Sequence, residues 1–186
     1  GKFQAAFFQS VTTRTAGFAS ISQSGLTNGS KLLASMLMII GGSPAGTAGG
    51  IKTTTVAVLL LTAISVLRGN KDTECYGRKI TFEIIRVGIT ITLVTFVFWL
   101  FGVTVMTVIE PQQKVLDLMF EATSAMATVG LTADLTPVLS DISHVVLMLM
   151  MYIGRIGPMT MALIFSGHVD KKNQFRTLPE AKIMVG

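Results

Sequence analysis

Three long apolar stretches dominate the chain, and their lengths predict membrane-spanning helices. Residues 81–109 and 143–166 are each apolar over enough residues to cross about 30 Å of hydrocarbon. The third stretch, 32–67, would reach roughly 54 Å as one straight helix at about 1.5 Å per residue. That length exceeds the thickness of a bilayer, so this stretch cannot be one straight span.

The middle of the third stretch indicates where it breaks. Residues 41–55, GGSPAGTAGGIKTTT, begin with glycines and other small residues around one proline, a composition that the interior of a helix disfavours. Backbone that is not paired within a helix survives at membrane depth only where it lines a water-filled cavity or is buried in protein. We therefore predict a span interrupted at mid-membrane by this segment, which we call the small-residue loop.

Composition and charge support an all-α membrane protein. Half of the residues are hydrophobic, only 13% are charged, and the mean hydropathy is +0.63. Basic residues concentrate in 68–80 and 167–186, which predicts that both segments are cytoplasmic in a multi-pass protein of the plasma membrane. The chain starts without Met and without a signal-peptide pattern, so we expect a fragment of a longer protein.

Two short segments, TTRTAGF at 12–18 and MATVGLT at 126–132, are copies of one pattern in which Thr-x-Gly interrupts an apolar run. The Thr-Val-Gly of the second copy is shared with the filter loops of K⁺ channels, where backbone carbonyls replace the hydration shell of the ion. Glycine suits such a loop because it accepts the alternating backbone conformations that other residues resist. The predicted filter residues are Thr15, Ala16, Gly17, Thr128, Val129 and Gly130. We expect K⁺ to bind at the Gly17 and Gly130 carbonyls.

A short helix is expected before each Thr-x-Gly segment, at residues 3–15 and within 112–127. Together with the spans, these helices predict repeats of span, pore loop and span, as in K⁺ channels. The expected parts are a partial pore repeat (1–67), a cytoplasmic linker (68–80), a further pore repeat (81–166) and a cytoplasmic tail (167–186).

An arginine lies in the last predicted span. Gly42 follows Gly17 by 25 residues and Arg155 follows Gly130 by 25, so the two occupy the same repeat position. A guanidinium near the bilayer centre is costly, so Arg155 should face the pore or backbone carbonyls. Arg14, next to the first filter segment, is expected to be a structural brace, with Glu121 as one plausible partner.

The motifs FFQSVTTRTAGF, GGSPAGTAGGIKTTT, FEATSAMATVGLT and MYIGRIGPMT resemble the third and fourth repeats of the Trk/Ktr/HKT superfamily of potassium transporters, most closely the Ktr-type membrane subunit. The resemblance implies that 1–67 are part of the third repeat and 81–166 the fourth. It implies a pseudo-fourfold pore with one filter glycine per repeat, a loop gate and a pore arginine that contacts it. It also implies a homodimer on a cytosolic ring of nucleotide-binding regulatory subunits. The gate residues carried over are Gly41, Gly42, Ser43, Pro44, Ala45, Gly46, Thr47, Ala48, Gly49, Gly50, Lys52 and Arg155.

Other functions are less well supported. Gly46 to Thr53 resembles a phosphate-binding loop, but Ile51 occupies the position before Lys52 where that motif requires glycine. An ion-coupled secondary carrier, with Na⁺ as one possible coupling ion, would more naturally place acidic residues in the spans, and 32–67 and 143–166 contain none. No arrangement of nucleophile and base suggests an enzyme. We expect no cofactor and no nucleic-acid partner.

Overall fold

The computed structural model describes residues 1–44, 48–70 and 72–157. These residues form helices and one small hairpin. The helices are α1 (Lys2–Thr12), α2 (Asn28–Ile39), α3 (Thr53–Leu67), α4 (Phe82–Ile109), α5 (Val115–Met126) and α6 (Asp141–Ile156). The hairpin strands are β1 (Glu74–Cys75) and β2 (Arg78–Lys79), and Thr136–Val138 form a short 3₁₀ turn.

Helix α4 coincides with the span predicted at 81–109. Its most apolar window has a mean hydropathy of 2.2, and among the described residues it is the helix long and apolar enough to cross a membrane. Large apolar side chains such as Leu93, Phe96 and Phe101 remain more than half exposed along it. Exposing this much apolar surface to water is unfavourable in free energy, so the surface suits contact with hydrocarbon or with further protein.

The apolar stretch 32–67 is divided, as predicted, into α2 and α3. The Ile51 N–H donates to the Ile39 carbonyl at 3.1 Å, and the Gly41 N–H donates to the Ile51 carbonyl at 2.8 Å. These two bonds close the neck of the small-residue loop, so the chain leaves α2 and returns almost to the same point before α3 begins. The loop is shorter than expected, because the last three residues of 41–55 belong to the first turn of α3.

The linker 68–80 contains the hairpin, which was not predicted from the sequence. Its strands pair Glu74 with Lys79 and Cys75 with Arg78. The turn between them is Tyr76-Gly77, and both residues have positive φ angles (49° and 73°). Two such residues match the right-handed twist of a tight hairpin.

Helix α5 is the centre of the packing. It contacts α2, α4 and α6. On one side, Leu118 joins a buried cluster with Met106 of α4 and Leu147 of α6. On the other, Phe120 packs in a second cluster with Met38 of α2 and with Leu131, which follows the second Thr-x-Gly segment. The position of that segment is therefore fixed by apolar packing on both sides of α5.

The remaining predicted helices differ at their ends. Helix α1 stops at Thr12 instead of 15, because the backbone turns into the first Thr-x-Gly segment. Helix α6 starts at Asp141, where the Ser140 hydroxyl accepts from the Ser143 N–H. It ends at Ile156, where Gly157 has a φ of 82°. The rest of the predicted span, 158–166, and the tail 167–186 lie outside the described residues.

Candidate functional site

The two Thr-x-Gly segments have the same backbone conformation. Thr15 and Thr128 have φ angles of 63° and 54°, and Gly17 and Gly130 have φ angles of 75° and 89°. A positive φ is rare for a β-branched residue, so its occurrence at equivalent positions of both copies indicates a required backbone path. The repeat detected in the sequence is therefore also a repeat in conformation.

Each segment follows directly from the end of a short helix. The Gly17 N–H donates to the carbonyl of Thr12 at the end of α1 (3.2 Å), and the Val129 N–H donates to the Ser124 carbonyl in the last turn of α5 (2.9 Å). Helix carboxyl ends carry a partial negative charge that favours cations. Both predicted filter segments thus lie where the backbone field attracts a cation.

The two segments also touch each other, although they are far apart in the sequence. A β-carbon added at Gly17 would lie 2.1 Å from the Val129 carbonyl oxygen and 3.7 Å from the Gly130 Cα. No side chain fits at Gly17 without displacing the backbone of the other segment. The fold therefore brings the predicted filter residues of the two repeats together.

The small-residue loop reaches the second segment. The Gly49 N–H donates to the Thr128 hydroxyl at 3.1 Å. A β-carbon at Gly49 would lie 2.3 Å from the same oxygen, and one at Gly41 would lie 2.1 Å from the Gly49 carbonyl. Glycine is therefore needed at these two positions for the loop to approach Thr128. The Lys52 ammonium donates to the carbonyl of Ala48 within the loop.

The other predicted gate residues are less informative. Gly50 has a φ of 71° and packs against Ile39 and Ala127, and Gly42 approaches the Ala48 side chain. Ser43 and Pro44 are exposed. Three predicted gate residues, Ala45, Gly46 and Thr47, lie outside the described residues.

Arg155 lies in the last turn of α6 beside the second segment. It lines a cavity of about 300 Å³ together with the segment's residues Thr128, Val129 and Gly130. The adjacent Gly154 allows this approach, because a β-carbon there would lie 2.0 Å from the Met126 carbonyl oxygen. The predicted contact between Arg155 and the small-residue loop stays a prediction.

Arg14 forms a different contact from the one proposed with Glu121. Its guanidinium donates to the Ile40 carbonyl at 3.1 Å and to the Gly41 carbonyl at 3.5 Å, which braces the neck of the loop. The buried Glu121 carboxylate accepts from the Ala133 N–H and the Thr136 hydroxyl, both at 2.9 Å. The Glu121 suggestion was therefore wrong, because donors in the chain that follows the second segment already satisfy this carboxylate.

Two polar links between the repeats were not predicted from the sequence. The Lys31 ammonium lies 2.7 Å from the Asp117 carboxylate, with side chains 7% and 20% exposed. The Asp134 carboxylate accepts hydrogen bonds from the hydroxyls of Ser22 and Ser24. No local pattern marks either link, because the partners are 86 to 112 residues apart in the sequence.

Comparison with known proteins gives a consistent family. The model of the TrkH family, described as "Cation transport protein", matches residues 1–176. The chain is 37% identical over 185 residues to Ktr system potassium uptake protein B of Bacillus subtilis, covering 100% of this chain and 41% of that protein. It is also 37% identical over 183 residues to the potassium/sodium uptake protein NtpJ of Enterococcus hirae, covering 97% of this chain and 41% of that protein.

A third relative is Ktr system potassium uptake protein B of Vibrio alginolyticus, 36% identical over 166 residues, or 89% of this chain and 36% of that protein. The chain spans about two fifths of the length of the first two relatives. These matches confirm the resemblance to Ktr-type membrane subunits that the four motifs indicated. The chain belongs to the TrkH family of cation transport proteins.

Proposed function

We propose that this chain is part of a potassium uptake protein of the cell membrane and supplies two segments of its ion filter. Three relatives carry potassium uptake in their names. The observation that carries the proposal is the meeting of two Thr-x-Gly segments with matching positive φ angles, in contact at Gly17 and Val129. Two like segments side by side are half of a fourfold ring of carbonyls.

In this proposal the carbonyls of Gly17 and Gly130 contribute to the site that binds dehydrated K⁺. The backbone oxygens replace the water that the ion loses, and the carboxyl ends of α1 and α5 add a favourable field. The remaining carbonyls come from the rest of the complete protein, because two segments cannot close a ring around an ion.

The small-residue loop and Arg155 act as the gate. The loop is bonded to Thr128 through Gly49, and Arg155 lines a cavity at the same segment. A loop held against the filter can block the ion path, and a guanidinium nearby raises the energy of a passing cation. Na⁺ as a coupling ion, pairing of two copies and a cytosolic nucleotide-binding ring are further parts of the proposal, with 68–80 and 167–186 on the cytoplasmic side.

The experiment compares two glycine variants in the complete protein that contains this chain, expressed in cells deficient in K⁺ uptake. Gly130→Ser should reduce the preference for K⁺ over Na⁺ at least several-fold, because the side chain opposes the positive φ and displaces the filter carbonyl. Gly69→Ser is a matched control. Gly69 also has a positive φ (70°) and open space at its β position, but it lies in the linker.

Initial rates of K⁺ and Na⁺ uptake are measured together with the amount of protein in the membrane. The proposal requires that Gly130→Ser lose selectivity while Gly69→Ser keeps it. Equal selectivity of both variants and of the unmodified protein would remove Gly130 from the filter.

A further inference from the structure

One carboxylate joins the segments that follow the two filter turns. The Ser24 hydroxyl donates to Asp134 Oδ2 at 2.6 Å, and the Ser22 hydroxyl donates to the same oxygen at 2.9 Å. The two hydroxyls also lie 2.7 Å from each other. Three polar groups from two repeats therefore form one compact cluster, which we call the Asp134 clamp.

The clamp lies close to both filter turns along the chain. Ser22 is five residues after Gly17, and Asp134 is four residues after Gly130. Asp134 has a φ of 61°, a conformation that aspartate accepts more readily than most residues. This backbone conformation is part of the turn from which the carboxylate bonds the serines of the other repeat.

We propose that Asp134 is a positioning residue of the filter, whose bonds to Ser22 and Ser24 fix the distance between the third-repeat and fourth-repeat carbonyls. The proposal rests on the proposed function. The close contact of Gly17 with the Val129 carbonyl limits how near the two turns can come. The clamp resists their separation, so the two features together define one spacing. Selectivity of a carbonyl filter depends on the spacing and flexibility of its oxygens.

The surroundings keep the clamp charged. Hydrogen bonds from Ser24 and Ser22 lower the pKa of Asp134 from its ordinary value, and the positive charge of Lys31 lowers it further, while partial desolvation opposes this. Lys31 is itself paired with Asp117. Because the pKa of Asp134 is lowered, the carboxylate accepts both bonds throughout the neutral pH range. Clamp-dependent selectivity should therefore be constant from about pH 6 to 8.

The decisive variant changes the serines and leaves the carboxylate in place. Ser22→Ala with Ser24→Ala removes both hydroxyl donors from exposed positions, so folding and the local charge are retained, while the backbone N–H of Ser24 still bonds Asp134. In the complete protein we expect K⁺ over Na⁺ selectivity to fall roughly three- to tenfold, about the effect of losing one ordinary hydrogen bond at a solvent-exposed position. Ser22→Thr with Ser24→Thr keeps both hydroxyls and should retain most of the selectivity.

A matched control uses a second serine-bonded carboxylate that does not join the repeats. Glu110 accepts from the Ser140 N–H at 2.8 Å and the Ser143 hydroxyl at 2.9 Å, all within the fourth repeat. Glu110→Gln should leave selectivity unchanged. Loss of selectivity in the alanine pair, its retention in the threonine pair and no change in Glu110→Gln support the clamp.

Two outcomes would overturn the proposal that the Asp134 clamp positions the filter. Unchanged selectivity in the alanine pair would show that spacing does not depend on these bonds. If only Asp134→Asn alters uptake, by raising the K⁺ concentration needed for half-maximal rate, the carboxylate acts by attracting cations and not by positioning. The Gly130→Ser measurement separates these failures from a failure of the filter itself, because it tests the filter without touching the clamp.

Discussion

Replacing Gly154 by alanine is predicted to disturb the packing of α6 against the end of α5. The added β-carbon would lie 2.0 Å from the Met126 carbonyl oxygen and 2.9 Å from its carbonyl carbon. An ordinary contact begins near 3.4 Å, so the helices must separate by about 1.4 Å, since both clashing atoms are backbone. Alanine favours a helix by about 1 kcal/mol over glycine, and overpacking costs up to about 3 kcal/mol. The net loss of stability is therefore about 2 kcal/mol.

Two other helix glycines provide controls for the same substitution. At Gly102 the β-carbon would meet the end of the Met150 side chain, with Sδ at 2.4 Å, and that side chain can rotate away. At Gly88 the nearest atom is Thr55 Cγ2 at 3.6 Å, an ordinary contact. Gly88→Ala should be neutral or stabilising by up to about 1 kcal/mol, and Gly102→Ala should fall between the other two.

Thermal unfolding of the purified complete protein in detergent, followed by intrinsic fluorescence, ranks the three variants. Gly88→Ala is predicted to have the highest melting temperature, Gly102→Ala an intermediate one and Gly154→Ala the lowest. Because Met126 lies two residues before Thr128, Gly154→Ala should also weaken K⁺ selectivity. If Gly154→Ala melts at the same temperature as Gly88→Ala, the close approach of α6 to Met126 is refuted.

Three further predictions concern the gate and the polar links. Arg155→Ala and deletion of residues 45–49 should each raise the velocity of K⁺ uptake. The double variant should gain much less than the sum of the two single gains, because both changes act on one barrier. Additive gains would show that the arginine and the loop act independently. Lys31→Met should destabilise the purified protein by about 1–3 kcal/mol, because it leaves the half-buried Asp117 carboxylate without its cation. An unchanged melting temperature would mean that the ion pair contributes nothing to stability. Hydrogen bonds from Ser140 and Ser143 lower the pKa of Glu110 in the folded protein from its ordinary value of 4.5. The carboxylate therefore contributes fully to folding stability above the pKa of the unfolded state, and this contribution is lost as the pH falls through the lower pKa of the folded state. The difference in stability between the unmodified protein and Glu110→Gln should therefore be constant above about pH 5.5 and shrink below pH 4.5. A difference that persists undiminished to pH 3 would contradict this role of Glu110.

Elements with a strong local signal were predictable from the sequence. The apolar run of α4 and the break between α2 and α3 follow from hydropathy and from glycine and proline content alone. The equivalence of Gly17 and Gly130 was visible as a repeated pattern, and the matching φ angles support it. Each of these predictions depends on residues that are neighbours in the chain.

Contacts between distant residues could not be predicted in the same way. Arg14 was expected near a carboxylate and instead binds the Ile40 and Gly41 carbonyls, which became available because the loop neck exposes them. The Asp134 clamp joins residues whose proximity depends on how the repeats pack. The Tyr76-Gly77 turn had a local signal, but strands of two residues are too short to produce an alternating pattern.

The most direct test of the proposed filter is to locate a bound ion at the two Thr-x-Gly segments. Crystals of the complete protein grown with Rb⁺ as a K⁺ substitute would reveal the ion by its anomalous scattering. The proposed filter requires a peak within about 3 Å of both the Gly17 and the Gly130 carbonyl oxygens, in keeping with carbonyl coordination of a dehydrated cation. Rb⁺ bound elsewhere in the protein, with neither carbonyl among its ligands, would contradict a filter formed by Gly17 and Gly130.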